Sequence, residues 1–301
     1  MTDWDSQLLR ALLFVPGSDT RKLAKVATFG ADAIVIDLED AVADDMKTAA
    51  RATTADAIQT YDDGVVVIVR VNGKHTGRLL DDIASVVRPR LDMILIPKVE
   101  DTDTLFEADR LLSRCEEEAG IPVGQIRLLA LIETARGIVD CERILAEAPP
   151  RLLTAIFGLG DFSVDIGVDL TADAAELAYG RSRLVVAARA AGLAKPIDGP
   201  YLNLLDEEGL VTDTLRSRQL GFQGRVAVYP PQVDPVQRTF SLLSAEEVAE
   251  MEKVIEAFEE AERRGVASIR VDGKFVDYPI YNRAQTKLRR HVAYEQAVGT
   301  R

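Results

Sequence analysis

Histidine and cysteine are nearly missing from this chain of 301 residues, which has two of each: His75, His291, Cys115 and Cys141. So few imidazoles disfavour a histidine-based metal site and turn attention to carboxylates as ligands of a hard cation. The two thiols fall in helix-like segments without metal-ligand spacing. They read as reduced thiols of a cytoplasmic protein, not as a disulfide framework. Cationic excess is also lacking. The 36 Lys and Arg against 49 Asp and Glu leave a formal charge of -13. That balance disfavours nucleic acid and anionic membranes as partners, and it demands local cations around any anionic substrate. No apolar run approaches the roughly 20 residues that a membrane span needs. The acidic start Met1-Thr-Asp-Trp-Asp-Ser6 lacks the basic and apolar regions of a signal peptide. A Gly-rich dinucleotide fingerprint, a low-complexity tract and a short internal repeat are all absent as well.

What is present is a regular alternation. Short apolar runs rich in β-branched residues recur at Leu12–Pro16, Ala33–Leu38, Val65–Val71, Met93–Val99, Leu128–Ile132, Leu153–Gly158, Lys195–Asp198 and Gly224–Tyr229. Their near-continuous apolar character fits parallel strands covered on both faces. Helical periodicity fills the intervals, as at Ala43–Gln59, Thr102–Ala119, Arg136–Ala146, Ala172–Ala191 and Glu207–Leu220. About eight strand–helix units predict an α/β TIM (β/α)8 barrel over residues 1–232; a doubly wound sheet is the alternative. The pattern changes after Gln232. Ser244 followed by Glu247 marks a capping box for a helix over Ser244–Arg264. Asp272-Gly273 sits between two strand-like stretches and predicts a hairpin. Pro279–Tyr294 reads as a final helix. Residues 233–301 are thus a helix–hairpin–helix extension, suited to reach a neighbouring subunit.

Active sites of such barrels lie at the C-terminal strand ends, and those ends carry a polar inventory. Glu133 and Asp161 each close a buried apolar run, where a lone carboxylate is costly unless a cation or donor pairs it. Together they suit one hard divalent cation; the alternative is two helix N-caps. Arg70 lies in an apolar run, and its fork fits either a substrate carboxylate or a buried ion pair with Glu39 or Asp40. Asp37, Glu39 and Asp40 are placed to orient Arg70 and metal-bound waters, or Asp40 caps a helix starting near Val42. Gly17 admits close backbone approach or serves a turn. Lys98 reads as a structural or electrostatic helper near the substrate, and a Schiff-base role would make the metal redundant.

The ordered motifs Leu13-Phe-Val-Pro-Gly17, Ile36-Asp-Leu-Glu-Asp-Ala-Val42, Val69-Arg-Val-Asn72, Ile96-Pro-Lys-Val-Glu100, Leu131-Ile-Glu-Thr-Ala-Arg-Gly137 and Gly158-Leu-Gly-Asp-Phe162 resemble the citrate lyase β-subunit-like proteins of the HpcH/HpaI aldolase superfamily. The resemblance runs from about Arg10 to Arg290. It implies a TIM barrel, Mg2+, and carbon–carbon cleavage or formation on acyl-CoA thioesters. It assigns Glu133 and Asp161 to the metal and Arg70 to the substrate carboxylate. Gly273-Lys-Phe-Val-Asp277 matches a tail motif whose aspartate acts in catalysis from the neighbouring subunit, which points to Asp277. Val228-Tyr-Pro230 and the loop Gly73–Gly77 depart from common relatives. The resulting expectation is a homotrimer or hexamer that cleaves a 3-hydroxy-3-carboxyacyl-CoA, such as citramalyl-CoA or malyl-CoA, to acetyl-CoA and a 2-oxoacid. The alternatives are a citrate lyase β subunit acting on citryl-acyl-carrier protein, a metal-dependent 2-keto-3-deoxy-acid aldolase, and a non-catalytic protein that binds a CoA ester or organic acid.

Overall fold

A computed structural model of the chain describes Trp4, residues 7–62 and residues 64–299. Its elements run β1 (Ala11–Pro16), α1 (Thr20–Val26), β2 (Ala33–Asp37), α2 (Lys47–Ile58), β3 (Val66–Arg70), α3 (Leu79–Val86), β4 (Met93–Ile96), α4 (Thr102–Ala119), β5 (Arg127–Ile132), α5 (Ala135–Ala146), β6 (Leu152–Phe157), α6 (Leu159–Asp165), α7 (Ala178–Ala190), β7 (Ile197–Asp198), α8 (Glu207–Leu220), β8 (Gly224–Ala227), α9 (Val233–Ser241), α10 (Ala245–Arg263), β9 (Ser268–Val271), β10 (Lys274–Asp277) and α11 (Tyr278–Gly299). Strands β1 to β8 pair in chain order and close into a barrel through β1 and β8. All the pairings are parallel. The chain is a TIM barrel with helices following its strands.

The barrel interior is built by side-chain alternation. Ala33 and Val35 of β2, Val66 and Ile68 of β3, and Leu129 and Leu131 of β5 all join one apolar cluster with Leu12, Met93, Leu95, Ile156 and Val226. Successive side chains of a strand point to opposite faces. The next positions in these three series are therefore Asp37, Arg70 and Glu133. The same parity that fills the core delivers three charged groups to its C-terminal rim.

Two compact units are present, Met1–Gln237 and Arg238–Arg301, dividing inside α9. The second unit has its own core of Val254, Phe258, Val271, Val276 and Ala284. The rings of Phe258 and Tyr281 stack at 4.8 Å. Ser244 caps α10 through a reciprocal box with Glu247. Asp272 and Gly273 adopt φ of 46° and 82°, the left-handed pair that a two-residue hairpin turn requires. Among the described residues no helix is long and apolar enough to cross a membrane.

Some boundaries differ from the sequence expectation. β7 is only Ile197–Asp198, because Pro196 has no N–H for the ladder. The helix expected over Ala172–Ala191 begins at Ala178 after a 3-10 turn at Ala175–Leu177. Ala174 sits at φ 49° and breaks the run. α1, α3 and α6 belong to the expected strand–helix alternation. α6 starts at Leu159, before Asp161 and not after it.

Candidate active site

The register of β2 against β3 pairs Asp37 with Arg70. Arg70 donates from Nε to Asp37 Oδ1 at 2.7 Å and from Nη2 to Oδ2 at 2.6 Å. Asp37 also accepts from the backbone N–H of Glu39 and of Ala41, each at 2.9 Å. All four acceptor bonds of this buried carboxylate are thereby committed, so Asp37 orients Arg70 and holds nothing else. Burial alone would raise its pKa, but Arg70 outweighs burial and keeps the carboxyl below the usual range. Arg70 itself is held above its ordinary value by Asp37 and Glu39, against the effect of burial. Its guanidinium lies 5.2 Å from the ring centroid of Phe14, a cation–π distance. The ion pair expected with Glu39 or Asp40 is secondary. Arg70 Nη1 is 3.2 Å from Glu39 Oε2 and 3.8 Å from Asp40 Oδ2.

Glu133 is 3 % exposed. It does not cap α5; Thr134 does, accepting from Gly137 N–H at 3.0 Å. Instead Glu133 Oε1 accepts from the backbone N–H of Lys98 at 2.8 Å. Burial, with Glu39 and Asp161 close by, pushes the Glu133 carboxyl up to about 8. Asp161 lies within the first turn of α6 and is half-buried, so it is no N-cap either. Lys98 Nζ stands 3.1 Å from Glu39 Oε1, 3.4 Å from Asp161 Oδ2 and 3.8 Å from Asp40 Oδ1. Burial opposes the charge of Lys98, but Glu39, Asp40 and Asp161 more than offset it and hold the ammonium above the lysine range. Glu39 is raised by its burial and by Asp40, with Arg70 and Lys98 acting against that. Asp40 is exposed and does not start a helix: α2 begins only at Lys47.

Arg70, Glu39, Asp40, Lys98, Glu133 and Asp161 therefore converge at the rim. Gly17 serves packing: a Cβ there would lie 2.6 Å from Thr54 Oγ1 and 3.0 Å from the Asp37 carbonyl oxygen. Asp277 belongs to the second unit, where its Oδ1 accepts from Ile280 N–H at 3.2 Å at the start of α11. Sequence reasoning missed Lys47 and gave no role to Asn72 or Gly158. Lys47 Nζ donates to the carbonyls of Leu38 and Glu39 at 3.0 and 2.8 Å and braces the loop after β2. Asn72 Nδ2 donates to Leu38 O at 2.9 Å and to Asp82 Oδ2 at 2.7 Å. Gly158 lies against Glu133: a Cβ there would sit 2.4 Å from Glu133 Cβ and 2.6 Å from its Oε2. The doublet Gly158-Leu-Gly160 before an acidic residue was the available signal. Asp198, at the end of β7, belongs elsewhere. With Arg181, Asp213 and Arg225 it forms a buried ion network.

The donor set suits a hard cation. Among the described residues no three His, Cys, Asp or Glu side chains gather tightly enough to cage an ion. Magnesium, however, retains waters and takes only one or two protein carboxylates. The burial of Glu133 beside Glu39 and Asp161, and the buried Glu39 Oε2, which has the Arg70 ion pair but no hydrogen bond, are features that a divalent cation would relieve.

A family model described as HpcH/HpaI aldolase/citrate lyase matches residues 10–230. The chain belongs to the HpcH/HpaI aldolase/citrate lyase family. Among curated relatives, citrate lyase subunit beta of Leuconostoc mesenteroides subsp. cremoris is 36% identical over 282 residues, 93% of this chain and 92% of the relative. A (3S)-malyl-CoA thioesterase of Cereibacter sphaeroides is 38% identical over 270 residues, 89% of each chain. Among solved structures, CitE from Mycobacterium tuberculosis in complex with magnesium, acetoacetate and coenzyme A aligns with a TM-score of 0.77 at 28% identity. That alignment covers 94% of this chain and 98% of the other. This member of the HpcH/HpaI aldolase/citrate lyase family is a lyase.

Proposed function

We propose that this lyase is magnesium-dependent and cleaves a 3-hydroxy-3-carboxyacyl-CoA, of the malyl-CoA or citramalyl-CoA type, to acetyl-CoA and a 2-oxoacid. The observation that carries the reading is the rim cluster. A glutamate pushed up by its burial and by neighbouring carboxylates shares the rim with a guanidinium already locked in plane by Asp37. The match to CitE, solved with magnesium, acetoacetate and coenzyme A, supports the substrate class.

Glu133 and Asp161 are the residues that would hold the magnesium, which when bound polarises the substrate oxygen that becomes the keto group. Arg70 binds the substrate carboxylate with the donors left free by Asp37. Lys98 adds positive charge beside Glu39 and Asp161. The hydroxyl loses its proton, the C2–C3 bond breaks, and the electron pair passes to the thioester enolate, which then takes a proton to become the acetyl group. Preorganised positive groups aimed at that charge supply much of the rate. Asp277 of a neighbouring chain supplies the general acid/base, and the protein is then a homo-oligomer such as a trimer.

The similarity to a malyl-CoA thioesterase favours a second reading, hydrolysis of the thioester to free CoA and a hydroxydicarboxylic acid. A panel of hydroxyacyl-CoA esters incubated with purified protein, with magnesium or with EDTA, separates the two. Acetyl-CoA plus a 2-oxoacid, seen only with magnesium, is the expected result. Free CoA without a 2-oxoacid would establish the hydrolase, and full turnover in EDTA would overturn the metal role.

A further inference from the structure

Lys98 reaches the carboxylate cluster twice. Its backbone N–H donates to Glu133 Oε1 at 2.8 Å. Its Nζ stands 3.1 Å from Glu39 Oε1 and 3.4 Å from Asp161 Oδ2. Both groups point into the same cluster because Lys98 adopts φ 50°, in the left-handed region that a non-glycine residue rarely occupies. Strain of this kind persists where the surroundings over-determine it. Here the neighbours fix the backbone: Val99 N–H donates to Leu131 O at 3.2 Å, which ties the loop after β4 to β5.

We propose that Lys98 is a positioning residue that acts as an internal counter-cation and sets the affinity of the site for its metal. This rests on the reading that Glu133 and Asp161 hold magnesium. The amide fixes the orientation of Glu133 for coordination. The ammonium occupies the carboxylate edges of Asp161 and Glu39, so a divalent cation enters by displacing it and works against its positive charge. The ion pairs that keep Glu39 and Asp161 in place thus also weaken metal binding. A tether alone would have the opposite sign, because freeing Asp161 and Glu39 would then loosen the metal site.

The test is calorimetric titration of magnesium chloride, at fixed ionic strength, into EDTA-stripped wild type, Lys98→Met, Lys98→Gln and Lys98→Arg, with circular dichroism to verify the fold. Lys98→Met and Lys98→Gln are expected to bind magnesium on the order of tenfold more tightly, since a unit charge a few ångströms away has been removed. They are also expected to melt earlier than wild type before metal is added. Lys98→Arg, which keeps the charge, should bind as wild type does. Unchanged or weaker binding by both neutral variants would overturn the proposal. Equal magnesium binding by wild type and Glu133→Gln would overturn the metal assignment itself, and so separates that failure from a failure of the role given to Lys98.

Discussion

Asp37 grips Arg70 by two parallel hydrogen bonds of 2.7 and 2.6 Å, side by side across the β2–β3 ladder. The pair is almost wholly buried, so neither partner is easily replaced. Arg70→Lys cannot reproduce the fork, and Asp37→Asn removes the charge that holds it. Each variant should lose on the order of 2–5 kcal/mol of transition-state stabilisation, as when one member of a desolvated charge pair is removed. Steady-state kinetics measure this as a fall in kcat/KM. A value within a few-fold of wild type for Arg70→Lys would assign Arg70 to scaffolding.

Gly158 tests the position of Glu133 without touching its carboxylate. An alanine there places a Cβ 2.4 Å from Glu133 Cβ, and one of the two must move. Overpacking of this kind costs about 1–3 kcal/mol, which the fold tolerates. The expected result for Gly158→Ala is a folded protein with magnesium affinity reduced on the order of tenfold or more. Calorimetric titration and a thermal melt read the two quantities separately. Undiminished affinity would show that Glu133 tolerates displacement.

Acid stability should depend on Asp213. Arg181 donates to both of its oxygens at 2.9 and 2.8 Å, and Arg225 adds a further contact. Burial would raise this carboxyl, but the two arginines hold it far below the usual aspartate range. A folded-state value below the unfolded one means stability present above the unfolded pKa and lost as pH falls through the folded pKa. Denaturant titrations of wild type should therefore weaken progressively below about pH 4. Asp213→Asn should be less stable near neutrality by about 3–5 kcal/mol, because two buried arginines lose a counter-charge. It should also show a flatter response below pH 4. Parallel curves for the two proteins would refute the assignment.

Asp277 caps α11 through Ile280 N–H. Asparagine caps nearly as well as aspartate, so Asp277→Asn separates capping from proton transfer. Thermal stability should hold within about 0.5 kcal/mol, while activity should be lost. Glu133→Gln should be inactive as well. Mixed oligomers of the two inactive variants should regain part of the activity, because some interfaces join an intact metal site to an intact aspartate. Verified mixed oligomers without any recovery, or a fully active monomer, would rule out a shared site.

Much of this protein is legible in its sequence. Eight apolar runs separated by helical periodicity specify a parallel barrel, because strands covered on both faces must be apolar throughout. Ser244 with Glu247 and Asp272-Gly273 announce their cap and turn through local chemistry alone. Glu133 and Asp161 stand out because charge ending a buried run demands a partner.

Tertiary structure decided which partners those are. The β2–β3 register gave Arg70 its bidentate partner Asp37, with Glu39 and Asp40 as further ion-pair partners, and saturated Asp37 with donors. Barrel closure pressed Gly158 against Glu133, residues that belong to successive strand ends. The left-handed turn at Lys98 joined one residue to Glu133, Glu39 and Asp161 at once. Periodicity along a chain tells which face a side chain takes, since that depends on the local backbone repeat. Distances between side chains on different strands depend on register, shear and loop conformation. Those are fixed only when the whole barrel closes.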